Sequence, residues 1–392
     1  MNAWLLRSLV AVGLLLSLTA CEEEKDDIRF TREGEALHSS YERIDQLYPD
    51  FFNANLLLDR DSMDADADRV CAYRLTGTTG FPGLYLDCWG SKTPSGSLVR
   101  DKEPQANGLT LGSSHVCVSK TSHDGTGIYC EGENDHGQSE NPKIGSLVDS
   151  GHYTVQPKFL SSGDTHNCVI DQQGIYCWGN NDQGQLDAPT VIDPLFIASA
   201  QNHNCAIDSA TAVHCWGDNS AGQTQVPTDL VNAYYLALGK DFSCALHGVT
   251  DDARGITCWG NTQWTTLAPT ELADWDFINA GDDHACAVKL AQDENSVTCW
   301  GNNAHGQLDV PLAAQAQVHN LVSGNGFSCA SVEYLGYPAG VNSRNEDTAT
   351  NDVLHLGVTC WGRNNEGQTE PPAFLCLGYH NSAVLTEDRS CP

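Results

Sequence analysis

The sequence predicts an all-β propeller built from a repeated hairpin. Three observations predict it: cysteines arrive in close pairs, the pairs recur along the chain, and short alternating apolar runs surround each pair. Setting Cys21 aside leaves an even set of the 17 cysteines, which in an exported chain points to disulfides. Cys71/Cys88, Cys117/Cys130, Cys168/Cys177, Cys205/Cys215, Cys244/Cys258, Cys286/Cys299 and Cys329/Cys360 are successive pairs. The second member of each opens the string CWG, or CEG at Cys130. A repeat of roughly forty residues made of short strands suits a propeller blade better than a helical solenoid.

The elements of one repeat follow in order. The inner strand A carries Leu109, Leu160, Ile197, Leu236, Ile278 and Leu321. Three residues later comes a small residue: Gly112, Gly163, Ala200, Gly239, Gly281 or Gly324. Strand B holds the first cysteine, preceded two residues earlier by His115, His166, His203 or His284, with Phe242 and Phe327 in the same column. Strand C holds the second cysteine. Two residues before it stand Leu86, Ile128, Ile175, Val213, Ile256, Val297 and Val358, on the same strand face as that cysteine. Blades stack on both faces, so this set and the tryptophan set on the other face can both be buried. If B and C pair as an antiparallel hairpin, the two cysteines face each other and meet disulfide geometry. A corner G-x-N-x-x-G-Q then recurs, as in Gly179/Asn181/Gly184/Gln185. It decays to Gly260-Asn261-Thr262 in one repeat and to Gly90-Ser91-Lys92 in the first. Glycines that tolerate positive φ and turn-capping asparagines make this a rigid turn.

The combined pattern G-x-x-H-x-C…C-W-G-x-N-x-x-G-Q resembles the regulator of chromosome condensation repeat, in the cysteine-bearing form of exported bacterial proteins. The resemblance covers about residues 69–391 and implies a β-propeller, usually of seven blades, expected over residues 69–392. Inner strands at residues 109, 160, 197, 236, 278, 321 and 375 agree with that number. The first segment has a B/C pair without a clear strand A, while the last supplies Leu375 and Gly378 and then ends, so the two are expected to share one blade. Cys376 and Cys391 are then left to pair with each other. An eighth blade would follow if Asn55–Asp59 formed an inner strand.

Residues 1–20 form a signal segment, with Arg7 before the apolar run Leu9–Leu18. Leu18-Thr19-Ala20-Cys21 resembles a bacterial lipobox, which implies acylation at Cys21. Residues 21–68 then read as an acidic tether, Glu22–Asp27, and a short amphipathic helix with Leu37, Tyr41, Ile44 and Leu47 on one face. The expected location is therefore the bacterial cell envelope, lipid-anchored at the outer membrane, on its periplasmic face or at the cell surface. The formal net charge of −31 disfavours nucleic-acid partners, because phosphate is repelled and no basic stripe is present.

No catalytic residues, cofactor or metal site are expected. The histidine column is spread round a ring and shared with phenylalanine, which suits packing rather than zinc. Asp59–Asp68 is rich in carboxylates, but an EF-hand loop from Asp64 would need glycine and glutamate where Arg69 and Leu75 stand. An acidic strap leading into the propeller is the preferred reading. No G-x-S-x-G or H-E-x-x-H string occurs. The intervals between paired cysteines hold 16, 12, 8, 9, 13, 12 and 30 residues, so the B–C loops vary against a constant frame. Phe81 and Tyr85 in the first loop, and Tyr334 and Tyr337 in the last, are the partner-binding candidates. The expected function is a non-enzymatic scaffold that binds a protein or another envelope macromolecule. The alternatives are inhibition of an exported enzyme, as in a β-lactamase inhibitor of similar shape, and a polysaccharide-active enzyme with an acidic pair over the channel. Nucleotide exchange, the activity of the family's nuclear namesake, is disfavoured because export separates the chain from cytosolic GTPases.

Overall fold

A computed structural model describes residues 63–76, 83–91, 106–122, 125–140, 142, 146–147, 153–154, 158–248, 254–289, 296–315, 318–335, 354–371 and 377–378. Blade 1 comprises β1 (Met63–Asp66), β2 (Arg69–Thr76) and β3 (Gly83–Gly90). Blade 2 comprises β4 (Ala106–Leu111), β5 (His115–Ser122) and β6 (Gly125–Gly132), followed by a ribbon of β7 (Ser146–Leu147) and β8 (Tyr153–Thr154). Blade 3 holds β9 (Phe159–Ser162), β10 (His166–Asp171) and β11 (Gly174–Gly179). Blade 4 holds β12 (Phe196–Ala200), β13 (His203–Ile207) and β14 (Val213–Gly217). Blade 5 holds β15 (Ala233–Leu238), β16 (Phe242–His247) and β17 (Gly255–Gly260), then the helical turn α1 (Thr262–Thr265). Blade 6 holds β18 (Phe277–Ala280), β19 (His284–Lys289) and β20 (Ser296–Gly301). Blade 7 holds β21 (Val318–Gly324), β22 (Phe327–Leu335), β23 (Leu354–Gly362) and β24 (Leu377–Gly378).

Every blade is an antiparallel A–B–C meander. The inner strands neighbour one another in the order β1, β4, β9, β12, β15, β18, β21, and β21 returns to β1. The ring therefore closes with seven blades.

Two expectations about closure are corrected. The first and last segments do not share a blade, because β1 is blade 1's own inner strand, pairing Met63↔Ala72 through Asp66↔Arg69. The first described inner strand thus lies at Met63–Asp66, inside the stretch read as an acidic strap. Gly378 is not on an inner strand either, and Leu375 lies outside the described residues. Leu377–Gly378 pairs with Leu356 and His355 as an outer fourth strand of blade 7. Asn55–Asp59, Cys21, Cys376 and Cys391 lie outside the described residues.

Strand B is the middle strand of each sheet and is covered by the adjoining blades on both faces. It therefore reads as a continuous buried run, as in His203–Ile207. The paired cysteines stand directly opposite across B and C in all seven blades, with Cα–Cα distances of 4.0–4.1 Å. The bonds join Cys71 to Cys88, Cys117 to Cys130, Cys168 to Cys177 and Cys205 to Cys215. Cys244 is joined to Cys258, Cys286 to Cys299, and Cys329 to Cys360. A one-residue slip would separate the sulfurs, so each bond also pins the register.

Burial of the two cysteine columns is unequal. The strand B cysteines are fully buried, whereas Cys88, Cys130, Cys177, Cys215, Cys258, Cys299 and Cys360 on strand C are only half-buried. Strand C is the outermost described strand of the blade sheets 1 to 6, and β24 pairs only near the start of β23, short of Cys360. With no outer strand beside them, these cysteines sit at the sheet margin, where cover comes from one side only. The core itself consists of slabs between blades. The slab between blades 7 and 1 joins Val322, Phe327 and Cys329 to Met63, Val70 and Trp89.

A polar lock repeats at the blade junctions. In the corner after blade 3, Gly184 takes φ +79°, Asn181 Oδ1 accepts from Leu186 N, and Gln185 Oε1 accepts from Gln183 N. The Gln185 carbonyl then accepts from Trp216 Nε1 of blade 4 at 3.0 Å and from Asn204 Nδ2 at 2.8 Å. Trp178 to Gln138, Trp259 to Gln223 and Trp361 to Gln307 repeat the indole bond at 3.2, 2.8 and 2.9 Å. Trp89 of blade 1 donates to Gln368 of blade 7 at 2.9 Å, so ring closure uses the same lock. Blade 5 lacks the glutamine corner, having α1 instead, and Trp300 Nε1 in blade 6 is buried without a partner.

The histidine column completes the junctions. His115 Nε2 meets Asn167 Oδ1 at 2.7 Å, and His166 Nε2 meets Asn204 Oδ1 at 2.8 Å. His203 and His284 meet Ser243 Oγ and Ser328 Oγ at 2.9 and 2.8 Å. The asparagine amides already donate to glutamine carbonyls, so Oδ1 faces the ring and the histidines of blades 2 and 3 donate from Nε2–H; burial lowers both to about 4, which favours the neutral form. Where the column holds Phe242 or Phe327, the facing residue of the next blade is Ala285 or Val70. Polar meets polar and apolar meets apolar.

Candidate functional site

Two regions of this frame offer polar or exposed groups: the central channel and the face that carries the hairpin tips. The seven inner strands enclose a cavity of about 180 Å³. The turns between strands A and B rim one end of it with Asp66, Lys240 and Asp282, and Asp164 lies close enough to interact with all three. Backbone bonds link neighbouring turns: Ser113 N to Asp164 O at 3.2 Å, Asp164 N to Gln201 O at 3.1 Å, and Lys240 N to Asp282 O at 2.9 Å. Burial holds the Asp282 carboxyl up at about 6, and the Asp164 charge adds to that. Asp66 is raised for the same reasons, by burial first and then by Asp164 and Asp282. Burial also raises Asp164, while Lys240 opposes it.

This end of the channel therefore holds carboxyls that take up protons more readily than usual. They meet the electrostatic requirement for acid–base chemistry. A cavity of about 180 Å³ falls below the roughly 300–1,000 Å³ of small-molecule sites. The other described aspartates of the supposed strap are occupied structurally. Asp64 Oδ2 accepts from Leu111 N at 2.8 Å, and Asp68 is ion-paired with Arg363. Among the described residues, no group of three histidine, cysteine or acidic side chains is placed to hold a metal ion.

The opposite face is built from the B–C hairpins and the segments leading into strand A. Ser209 N at the tip of blade 4 bonds Ile192 O at 3.5 Å, and Ala233 N bonds Thr211 O at 3.3 Å. Gly248 N bonds Asn232 O at 3.2 Å, and Ala273 N bonds Arg254 O at 2.9 Å. These bonds lay the lead-ins of blades 4, 5 and 6 beside the tips. Tyr85 in β3 and Tyr334 in β22 have backbones near the tip ends of their hairpins, paired with Arg74 and His355. Phe81 and Tyr337 lie outside the described residues.

Of the channel carboxylates, Asp66 falls in the acidic stretch Asp59–Asp68 that the sequence marks, whereas Asp164, Asp282 and the exposed lead-in side chains are not marked by it. The turn residues do carry a signal, since the position after the small residue of strand A reads Asp164, Gln201, Lys240 and Asp282 on successive blades 3 to 6.

The description "Regulator of chromosome condensation (RCC1) repeat" matches residues 158–185, which span strands A, B and C of blade 3 and its corner. The chain is an RCC1-like propeller. Its fold is similar to the ectodomain of the receptor kinase CR4 from Physcomitrella patens, at 21% identity and a TM-score of 0.54, over 77% of this chain and 72% of that one. The CRINKLY ectodomain of the Arabidopsis thaliana receptor kinase ACR4 matches at 19% identity and 0.54, over 78% of this chain and 95% of that one. Yeast RCC1 (Prp20), in a structure with Kap60 bound, matches at 14% identity and 0.50, over 86% of each chain. At such identities the likeness concerns the fold. The RCC1-like propeller adds a disulfide to each of its seven blades.

Proposed function

We propose that this RCC1-like propeller is a non-enzymatic scaffold, lipid-anchored through Cys21 in the bacterial cell envelope at the outer membrane, which binds another protein through its tip face. The carrying observation is the contrast between a uniform frame and unequal tips. Each described hairpin is stapled by a disulfide, while the interval between its cysteines ranges from 8 to 30 residues. A rigid frame that presents variable loops on one side is the arrangement used for recognition. Yeast RCC1, whose structure includes bound Kap60, is a propeller of this kind engaged with a protein. The narrow channel supports the non-enzymatic reading over a polysaccharide-active one.

In-cell crosslinking of the full, acylated chain followed by mass spectrometry tests this. Crosslinks from hairpin tips to one envelope protein are expected. Turnover of an envelope polysaccharide by the purified chain, lost on replacing Asp282, would overturn it in favour of catalysis.

A further inference from the structure

The tip face is not uniform around the ring. Ile192, Val231 and Leu272 are 70%, 60% and 64% exposed, although each is a large aliphatic residue. They stand in the lead-ins of three successive blades, 4, 5 and 6. The hydrogen bonds that hold these lead-ins to the hairpin tips set the three side chains along one arc of the face. Leu272 packs beside Gly255 at the tip end of β17, which fixes its side of the disc. Single exposed aliphatics are ordinary, whereas one on each of three adjoining blades makes a track.

The backbone supports this outward display. Asp193 and Asn232, next to Ile192 and Val231, have φ of +46° and +55°, and Thr211 of the intervening tip has +65°. A β-branched residue adopts that region at a cost, so the surrounding bonds must hold it there.

The charge along the arc has one sign. Exposed Asp193, Asp229 and Asp274 flank the three aliphatics. The neighbouring cations are engaged: Arg254 with Asp276 at 3.3 Å, and Lys289 with Glu271 at 3.5 Å and over the Trp275 ring at 4.2 Å. The chain's own N-terminal stretch Glu22–Asp27 is acidic and would be repelled, as would a second copy at −31.

We infer that the Ile192–Val231–Leu272 arc, rimmed by Asp193, Asp229 and Asp274, docks a basic partner segment that carries aliphatic side chains. This rests on the scaffold reading and names the partner chemistry within it. Aliphatic contacts supply the burial, and lysine or arginine side chains of the partner meet the carboxylate rim.

The test uses the full, oxidised chain and two labelled peptides, one of lysine–leucine composition and its glutamate–leucine counterpart, followed by fluorescence anisotropy. The lysine peptide should bind and the glutamate peptide should not. Ile192→Ser/Val231→Ser/Leu272→Ser should weaken binding at least about tenfold. Asp193→Lys/Asp229→Lys/Asp274→Lys should reverse the peptide preference, which keeps the test decisive if the serine variant folds poorly. Asp135→Lys/Glu366→Lys, on the corner face, should change little. Equal loss from the corner variant, or no loss from the arc variants, overturns the inference as mere attraction to an acidic surface. Sedimentation of the chain as a dimer that the serine variant dissolves also overturns it, by assigning the arc to a second copy. A partner crosslinked in cells as strongly to the arc variants as to the parent refutes the arc while leaving the scaffold reading standing.

Discussion

His166→Phe removes the donor that faces Asn204 Oδ1 at 2.8 Å in the junction between blades 3 and 4. The other neighbour of that oxygen is Cys168 Sγ at 3.5 Å, a disulfide sulfur with no proton to give. A buried carbonyl is thus stranded, at a cost of about 1–3 kcal/mol. Asn204→Ala instead strands the imidazole and leaves a small void, while the Gln185 carbonyl keeps its bond from Trp216. That single change should also cost about 1–3 kcal/mol. The double variant installs the Phe–Ala pairing that the chain itself uses at Phe242 and Ala285. It should recover about 1–3 kcal/mol relative to the sum of the singles. Guanidinium unfolding with disulfides intact at neutral pH measures the cycle.

A second readout of the same cycle is pH. Burial depresses His166 to about 4, from an ordinary value of 6.5. Between those values the unfolded chain binds the proton and the folded chain does not, so the histidine's contribution is complete above 6.5 and is lost as pH falls toward 4. The phenylalanine variants lack that loss. Relative to the parent, the double variant should therefore gain about 2 kcal/mol between pH 6.5 and 5. Additivity of the single changes, together with a stability difference independent of pH, would refute the lock.

Asp282→Asn should stabilise the protein above pH 6 by up to about 3 kcal/mol, with the gain fading as pH falls from 6 toward 3.8, because the raised carboxyl is then already neutral in the fold. Parallel melting curves of parent and variant across pH check the sign. Trp216→Phe should cost about 1 kcal/mol more than Trp300→Phe, since the Trp216 indole is bonded at 3.0 Å and that of Trp300 is unpartnered. Calorimetric melting of the two variants decides it. Replacing Cys329 and Cys360, separated by 31 residues, should destabilise about 1 kcal/mol more than replacing Cys168 and Cys177, separated by 9. The paired valine variants compared in denaturant test that ordering.

The blade was legible because its architecture repeats, and each repeat reports on the others. The missing inner strand of blade 1 shows where this failed. Met63 does occupy the place of Leu109 and Leu160, eight residues before the cysteine, but Asp66 stands where the small residue was sought. In blade 3 that residue must be small, because a Cβ on Gly163 would lie 2.3 Å from His166 Cε1. Blade 1 has Arg69 instead of a ring, and its guanidinium reaches Gly112 O and His115 O of blade 2 at 2.8 and 2.7 Å. With no ring to seat, the requirement lapses. Conversely, the Leu375/Gly378 spacing imitates the inner strand in sequence, but a ring already filled by seven inner strands leaves Gly378 only an outer edge. The partial exposure of Cys88, Cys215, Cys258 and Cys299 was hidden for a related reason. The pattern of a strand tells which residues share a face, but not how far out along the blade the neighbouring sheet still covers it. The pairing of His or Phe with its partner in the next blade was also present in the sequence. It spans about forty residues, however, and acquires meaning only when blades are placed side by side. The aliphatic arc left no sequence signal, since exposure depends on which turn carries each residue outward.

The stapled hairpins have a further consequence for damage. A protease that cuts a tip between two bridged cysteines leaves both fragments covalently tied and the junction locks untouched. Such a nick would be invisible until the bridge is reduced. The tips are thus free to lengthen, diverge or be clipped without the disc coming apart.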